Sequence, residues 1–256
     1  MSFSLTGFDL AEMLRCGRDL RDATAGAGSH EAAAQAVARY LYDTCRDAAG
    51  ERECVLVRFY RTHPYGGLEP PLRAFARQSL GGAAPGDEVR CLTLLGTAGD
   101  LPAWNSRHLS HGHRAIPLPT VEMVEQAPMI AELVRALGVD AGTLVAPHPE
   151  VVRGAEGKSY RIFYVEDAAG SPYIPAQEFV SQHGVRSVVG FGGLMPQGDL
   201  FAVILFTRVH VPESCAERFR NVALDLKISL ASLGRAPVFA AAAEPGAGAA
   251  PEPQPA

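Results

Sequence analysis

The sequence predicts an α/β (α+β) fold: a central, mostly antiparallel sheet of five or six strands flanked by helices. Three observations carry this. Residues 185–194 and 200–209 are two apolar, β-rich runs separated by Met195-Pro-Gln-Gly-Asp199, whose Pro and Gly supply the dihedrals of a hairpin connection. The second run, LFAVILFTRV, is apolar almost without interruption, the pattern of a strand buried on both faces and therefore central in its sheet. From Pro212 onward Ala216, Phe219, Ala223, Leu226, Leu230 and Leu233 recur at spacings of three and four, with Arg218, Arg220, Asp225 and Lys227 mostly off that stripe. That is an amphipathic helix that packs on the sheet.

Taken in order, residues 7–24 predict a helix with Thr6 or Asp9 near its start and Leu10, Met13, Leu14, Gly17 and Leu20 on one face. Ser29 is the expected N-cap of a second helix, with Glu31 in its first turn and Ala33, Ala36, Val37, Tyr40, Leu41 and Thr44 inward. Residues 53–62 form the first strand, in which Val55, Val57 and Phe59 alternate with Leu56, Arg58 and Tyr60. A Pro/Gly loop, a short helix around Leu72–Leu80 and a strand over 89–95 follow. Residues 102–119 are irregular, which in a compact domain points to function. A helix over 120–137 is kinked or divided at Pro128 and stopped at Gly138. Residues 143–147 read as a strand end, 159–165 as a further strand, and 167–175 as a turn-rich connection. After residue 235 the chain turns to Ala, Pro, Gly and Glu, and 236–256 is expected to be disordered because it has too little apolar surface to offset its ordering entropy.

Composition narrows the function. A length of 256 residues favours one or two domains with a sizeable core, and 47% hydrophobic with 20% charged residues is ordinary globular composition. A net charge of −5 without any basic run gives no nucleic-acid footprint. No run approaches the ~18 apolar residues of a membrane span, and the first residues lack a secretory pattern. Five scattered cysteines (Cys16, Cys45, Cys54, Cys91 and Cys215) without a CxxC pair read as reduced thiols. A cytoplasmic protein is expected.

The short helix ending in HGVRSVV, the Gly-containing turn, the buried LFAVILF strand and the closing helix together resemble the C-terminal half of a GAF domain. It looks like the GAF-type sensor segments found ahead of bacterial histidine kinases and related signalling outputs. It covers residues 179–233 well and the chain upstream less well. The resemblance implies one GAF-like domain over 1–235, with N-terminal helices in 7–49 and the core in 52–233. It implies a first helix packed beside the last, often as a dimer contact. It also implies a ligand space between the sheet and the segments crossing over it. No output domain follows, so any signal would pass to a separate partner protein.

By position, the segments matching that ligand space are 104–119 and 120–137. Arg58, Arg161 and Arg186 could project toward it, since a guanidinium fork suits carboxylate or phosphate, although each alone is more ordinarily a surface ion pair. Trp104 stands beside the histidine cluster His108, His111 and His113. Three imidazoles in six residues could ligate a metal, but no Cys or acidic residue follows at ligand spacing, so a polar loop is the preferred reading and no metal is assigned. The Asn-Lys-x-Asp-Glu type signature of cyclic-nucleotide-binding GAF domains is absent. Gly190, Gly192 and Gly193 lie within a strand and do not open a helix, so they suit a bulge or close backbone approach better than a phosphate loop. Free methionine-R-sulfoxide reductases share the fold and use cysteines; here only Cys91, next to Arg90, has any local activation. No GxSxG, Walker or HExxH motif occurs. The expectation is a non-catalytic sensory or regulatory module that binds a small molecule or a partner and dimerises through residues 7–24 and 213–233. A redox enzyme and a ligand-free scaffold are the alternatives, and the cofactor is left open.

Overall fold

The computed structural model describes residues 2–146 and 162–241. Its centre is one six-stranded sheet in the order β3-β2-β1-β6-β5-β4, with every neighbouring pair antiparallel. The strands are β1 (Cys54–Pro64), β2 (Arg90–Gly99), β3 (Ala115–Pro117), β4 (Phe163–Val165), β5 (Ser187–Leu194) and β6 (Leu200–Thr207). As its unbroken apolar run requires, β6 is buried along its whole length between β1 and β5.

The β5–β6 hairpin closes through Met195 and Asp199, whose backbones bond at 2.7 Å, with Gly198 at φ 87°. No bulge interrupts this pair. The glycine of β5 that matters is Gly192, where a Cβ would stand 2.1 Å from the Phe201 carbonyl oxygen. Close backbone approach is therefore its role.

One face of the sheet carries α1 (Leu10–Thr24), α2 (His30–Thr44) and α9 (Phe219–Ser232). Asp9 caps α1 in a capping box with Glu12, and Ser29 Oγ accepts from the Ala32 amide at 3.0 Å to cap α2. Helix α2 lies on β1 and β2, α9 on β5, and α1 packs against both helices. The first and last helices thus lie side by side, as the resemblance implies. They run in the same direction: Met13 meets Asn221, and Gly17 and Arg21 both meet Asp225. Phe219 stacks between Phe8 and Phe191, with ring centroids 4.7 and 5.2 Å away.

One helix face is rotated from expectation, and the other is buried as its stripe predicts. Leu10 and Leu14 are 62% and 61% exposed, and α1 buries Cys16 in their place. The Ala216–Leu230 stripe is spent inside this layer, where Ala216, Phe219, Ala223, Leu226 and Leu230 are all buried. It therefore serves the sheet, and no second chain can use it. The closing helix is also split, with α8 (Glu213–Ala216) preceding α9.

The opposite face is covered by shorter pieces: α4 (Val121–Glu125), α5 (Pro128–Ala136), α6 (Ala141–Val145) and α7 (Gln177–His183). Pro128 divides the expected long helix and opens α5, while Gly138 at φ 70° ends that turn. Residues 141–145 are helical, correcting the expected strand end. Asp140 accepts from the Gly142 and Thr143 amides and caps them, a local signal that outweighs the apolar run. The irregular stretch 102–119 contributes edge strand β3, paired to β2. Helix α3 (Pro70–Ser79) packs against β3.

Beyond residue 235, where disorder was expected to begin, the chain remains docked as far as Ala240. The Pro237 and Val238 carbonyls accept from the His30 and Glu31 amides at 3.0 and 2.8 Å, covering the first turn of α2. Phe239 lies edge-on to His63 and beneath the Arg107 guanidinium. These are the residues that composition alone treats as featureless. The remainder of the expected tail lies outside the described residues.

Candidate functional site

The two faces of β1 separate by alternation. Val57 and Phe59 point into the helical layer, whereas Leu56, Arg58 and Tyr60 point the other way. With Leu92, Ile204 and Phe206 they floor a cavity of about 730 Å³. Its walls and roof come from Trp104, from Gly112 and His113, from the start of α5 (Ala127 to Leu133), from Ile174 to Phe179, and from Phe75 and Ser79 of α3. The lining is overwhelmingly apolar. Trp104 is held edge-on against Phe179 and His183, at 5.8 and 4.8 Å, and Phe179 in turn meets Phe206.

Polar groups gather where β1 meets the 110–113 loop. Arg58 Nη1 donates to Tyr60 Oη at 3.1 Å and to the Gly112 carbonyl at 3.4 Å, and Nη2 to Ser110 Oγ at 3.4 Å. Its Nε is sealed from solvent without an acceptor. No carboxylate pairs with Arg58 among the described residues. His113, in a left-handed backbone at φ 55°, is an exposed residue that lines the cavity. Desolvation and then the Arg58 charge lower its pKa below the ordinary histidine value.

The residues named from sequence separate into groups. Arg58, Trp104 and His113 meet at this cavity. His108 and His111 line a smaller, more open hollow with Phe75, Leu109 and Arg114, and the His108 side chain is 62% exposed with Nε2 3.4 Å from Glu31. The three imidazoles do not converge, and no group of three His, Cys, Asp or Glu among the described residues is placed to hold a metal. Arg186 is exposed and does not line the cavity, because its strand position turns it to solvent. Arg161 lies outside the described residues.

All five cysteines are buried and unpaired, and none lines the cavity. Burial pushes the Cys91 thiol up to about 12. The neighbouring Arg90 is committed to Asp199, so it does not activate this sulfur.

Sequence reasoning missed the apolar lining from Met129, Ile130, Ile174 and Phe179, which come from separate short segments. It also missed the buried Glu31–Arg107–Glu69 cluster on the opposite side of the 102–113 segment. There Arg107 Nε lies 2.6 Å from Glu31 and Nη2 2.8 Å from Glu69. This ion pair anchors the loop to α2 and so fixes one edge of the roof.

A six-stranded antiparallel sheet, the first and last helices adjacent on one face, and a cavity between the other face and the segments that cross it form the arrangement implied by the sequence resemblance. The fold is GAF-like. No protein-family model matches the sequence, and no curated protein matches it.

Among solved structures, the GAF-like chain is similar to free methionine-R-sulfoxide reductase from Neisseria meningitidis in complex with its substrate. Identity is 12% over 87% of this chain and 90% of that one, with a TM-score of 0.45. A GAF domain from a Coxiella burnetii phosphoenolpyruvate-protein phosphotransferase gives 11% identity over 86% and 94%, with a TM-score of 0.45. The phycoerythrobilin-bound GAF domain of a cyanobacterial phytochrome gives 14% over 87% and 95%, with a TM-score of 0.42. Similarity of this order carries no information on ligand or activity. In the GAF-like chain no helix of the described residues is long and apolar enough to cross a membrane.

Proposed function

We propose that this chain is a non-catalytic sensory or regulatory module that binds a small molecule in the cavity over β1 and β6. The cavity carries the reading: about 730 Å³ of apolar space with a few polar groups at one place is the form of a ligand site. A redox enzyme of the sulfoxide reductase type would need a cysteine facing that space, and the lining supplies none.

The single tryptophan, Trp104, lines the cavity and reports on it. Native mass spectrometry of the protein as purified, followed by a metabolite panel read by Trp104 emission and thermal shift, should reveal a stoichiometric ligand. A protein that carries nothing and responds to no compound would overturn the reading in favour of a ligand-free scaffold.

The state of the cavity would pass to a separate output protein through the helical layer. Leu10 and Leu14 on α1 and Leu224 and Ile228 on α9 are i, i+4 pairs between 42% and 62% exposed, and they offer this layer an apolar outer face. A homodimer through that face is part of the proposal. Light scattering at tens of micromolar should give a dimer that the pair Leu14→Glu and Ile228→Glu converts to a folded monomer. A wild-type monomer would remove the dimer and leave the ligand site standing.

A further inference from the structure

We infer that the ligand of the cavity is a monocarboxylic acid with an apolar body, its carboxylate held at Arg58. The inference rests on the reading of this cavity as a small-molecule site and narrows it to a chemical class. Its basis is a contrast among the arginines. Arg61 and Arg90 share Asp199, and Arg107 lies between Glu31 and Glu69. Arg58 is half-buried in an apolar setting and, like the half-buried Arg39, Arg46 and Arg114, has no carboxylate to balance its charge among the described residues; of these four it is the one that lines the cavity. A charge withdrawn from water without a counter-ion is costly, and an anionic ligand is the group that relieves it.

The bonding of Arg58 agrees. Its terminal nitrogens meet neutral acceptors only, two of the three contacts at 3.4 Å, and its Nε has none. The guanidinium is therefore held below its bonding capacity, with donors left for the two oxygens of a carboxylate.

The rest of the lining sets the class. Among the described residues one guanidinium lines the cavity, matched to one negative charge, and no second arginine or lysine there would meet a phosphate dianion. No Asp or Glu lines the cavity among the described residues, so the ammonium group of an amino acid or amine has no ionic partner. Beyond Arg58, Tyr60, Ser79 and His113 the lining is mainly Ile, Leu, Met, Pro and aromatic carbon, which calls for an alkyl or aryl body.

The test uses the full-length protein and matched probes: decanoate, 1-decanol and decylamine, with 2-naphthylacetate and its alcohol as an aromatic pair. Binding is read by Trp104 emission and by calorimetry. An acid should bind about tenfold or more tightly than its matched alcohol, with decylamine weakest. Arg58→Met should bring the acid to the affinity of the alcohol while leaving the alcohol unchanged, and Arg58→Lys should keep part of the preference. Arg58→Gln serves in the same way if the Met variant does not fold.

Acid and alcohol binding equally, a preference that survives loss of the guanidinium, or no binding by either acid would each overturn the inference. The broader reading fails separately, only when the metabolite panel also yields no ligand.

Discussion

The two faces of this sheet are built from the same strands and end in opposite states. On one side three helices of 14 or 15 residues close over Val57, Phe59, Val189, Phe191, Val203 and Leu205, all of them buried. On the other, helices of five to nine residues and irregular connections cover Leu56, Ile204 and Phe206 incompletely, and the cavity remains. A long amphipathic helix presents a continuous ridge that can fill the sheet's surface, whereas short helices joined at Pro128 and Gly138 cannot keep one register over it. The difference teaches where stability and function reside: the helical face holds the fold, and the other face has room to bind.

Truncation should show the largest asymmetry. Phe219→Ala removes a fully buried ring between Phe8 and Phe191 and is expected to cost about 3–5 kcal/mol in urea unfolding. Phe179→Ala, a half-buried cavity wall, should cost clearly less while weakening ligand binding. Equal costs would break the distinction.

Overpacking should sharpen it. Val203 and Ile204 are neighbours on β6 that face opposite sides. Val203→Phe enters the closed layer and should cost about 1–3 kcal/mol. Ile204→Phe enters the cavity and should be tolerated within about 1 kcal/mol while filling the ligand space, which the Trp104 titration will show as lost binding.

The smallest effect is a pH slope seated on the closed side. His30 is buried at the start of α2, and burial followed by the Arg61 charge lowers its pKa to about 4, against the opposing effects of Asp199 and the Gly234 backbone. Because the folded pKa lies below the unfolded value, the unfolded chain binds more protons between about pH 4 and pH 6.5, and stability falls as pH drops through that window. Urea midpoints at successive pH values should slope downward there, by at most about 1.4 kcal/mol per pH unit. His30→Gln should flatten the slope, and an unchanged slope would place its origin elsewhere.

How much of this was legible depends on whether the signal was local. The hairpin, the buried β6, the N-cap at Ser29 and the stop at Gly138 were readable because each is set by neighbours within a few residues, while the start of α1 was left between Thr6 and Asp9. For the site, Arg58 and Trp104 could be named from strand alternation and from their place in an irregular stretch. Arg186 could not be rejected, since the direction in which a strand end projects depends on the twist of the assembled sheet.

The sequence by itself determined an α+β chain and most of its strand and helix order, though not edge strand β3 or the helix at 141–145, because periodicity and capping act over one or two turns. Tertiary structure decided the rest. It rotated the buried face of α1, spent the α9 stripe inside the monomer, drew Pro237–Ala240 onto α2, and gave Arg61, Arg90 and Arg107 carboxylate partners that Arg58 in the cavity lacks among the described residues. Which charges meet and which apolar surfaces stay open depend on segments far apart in the chain, and only their packing brings those segments together.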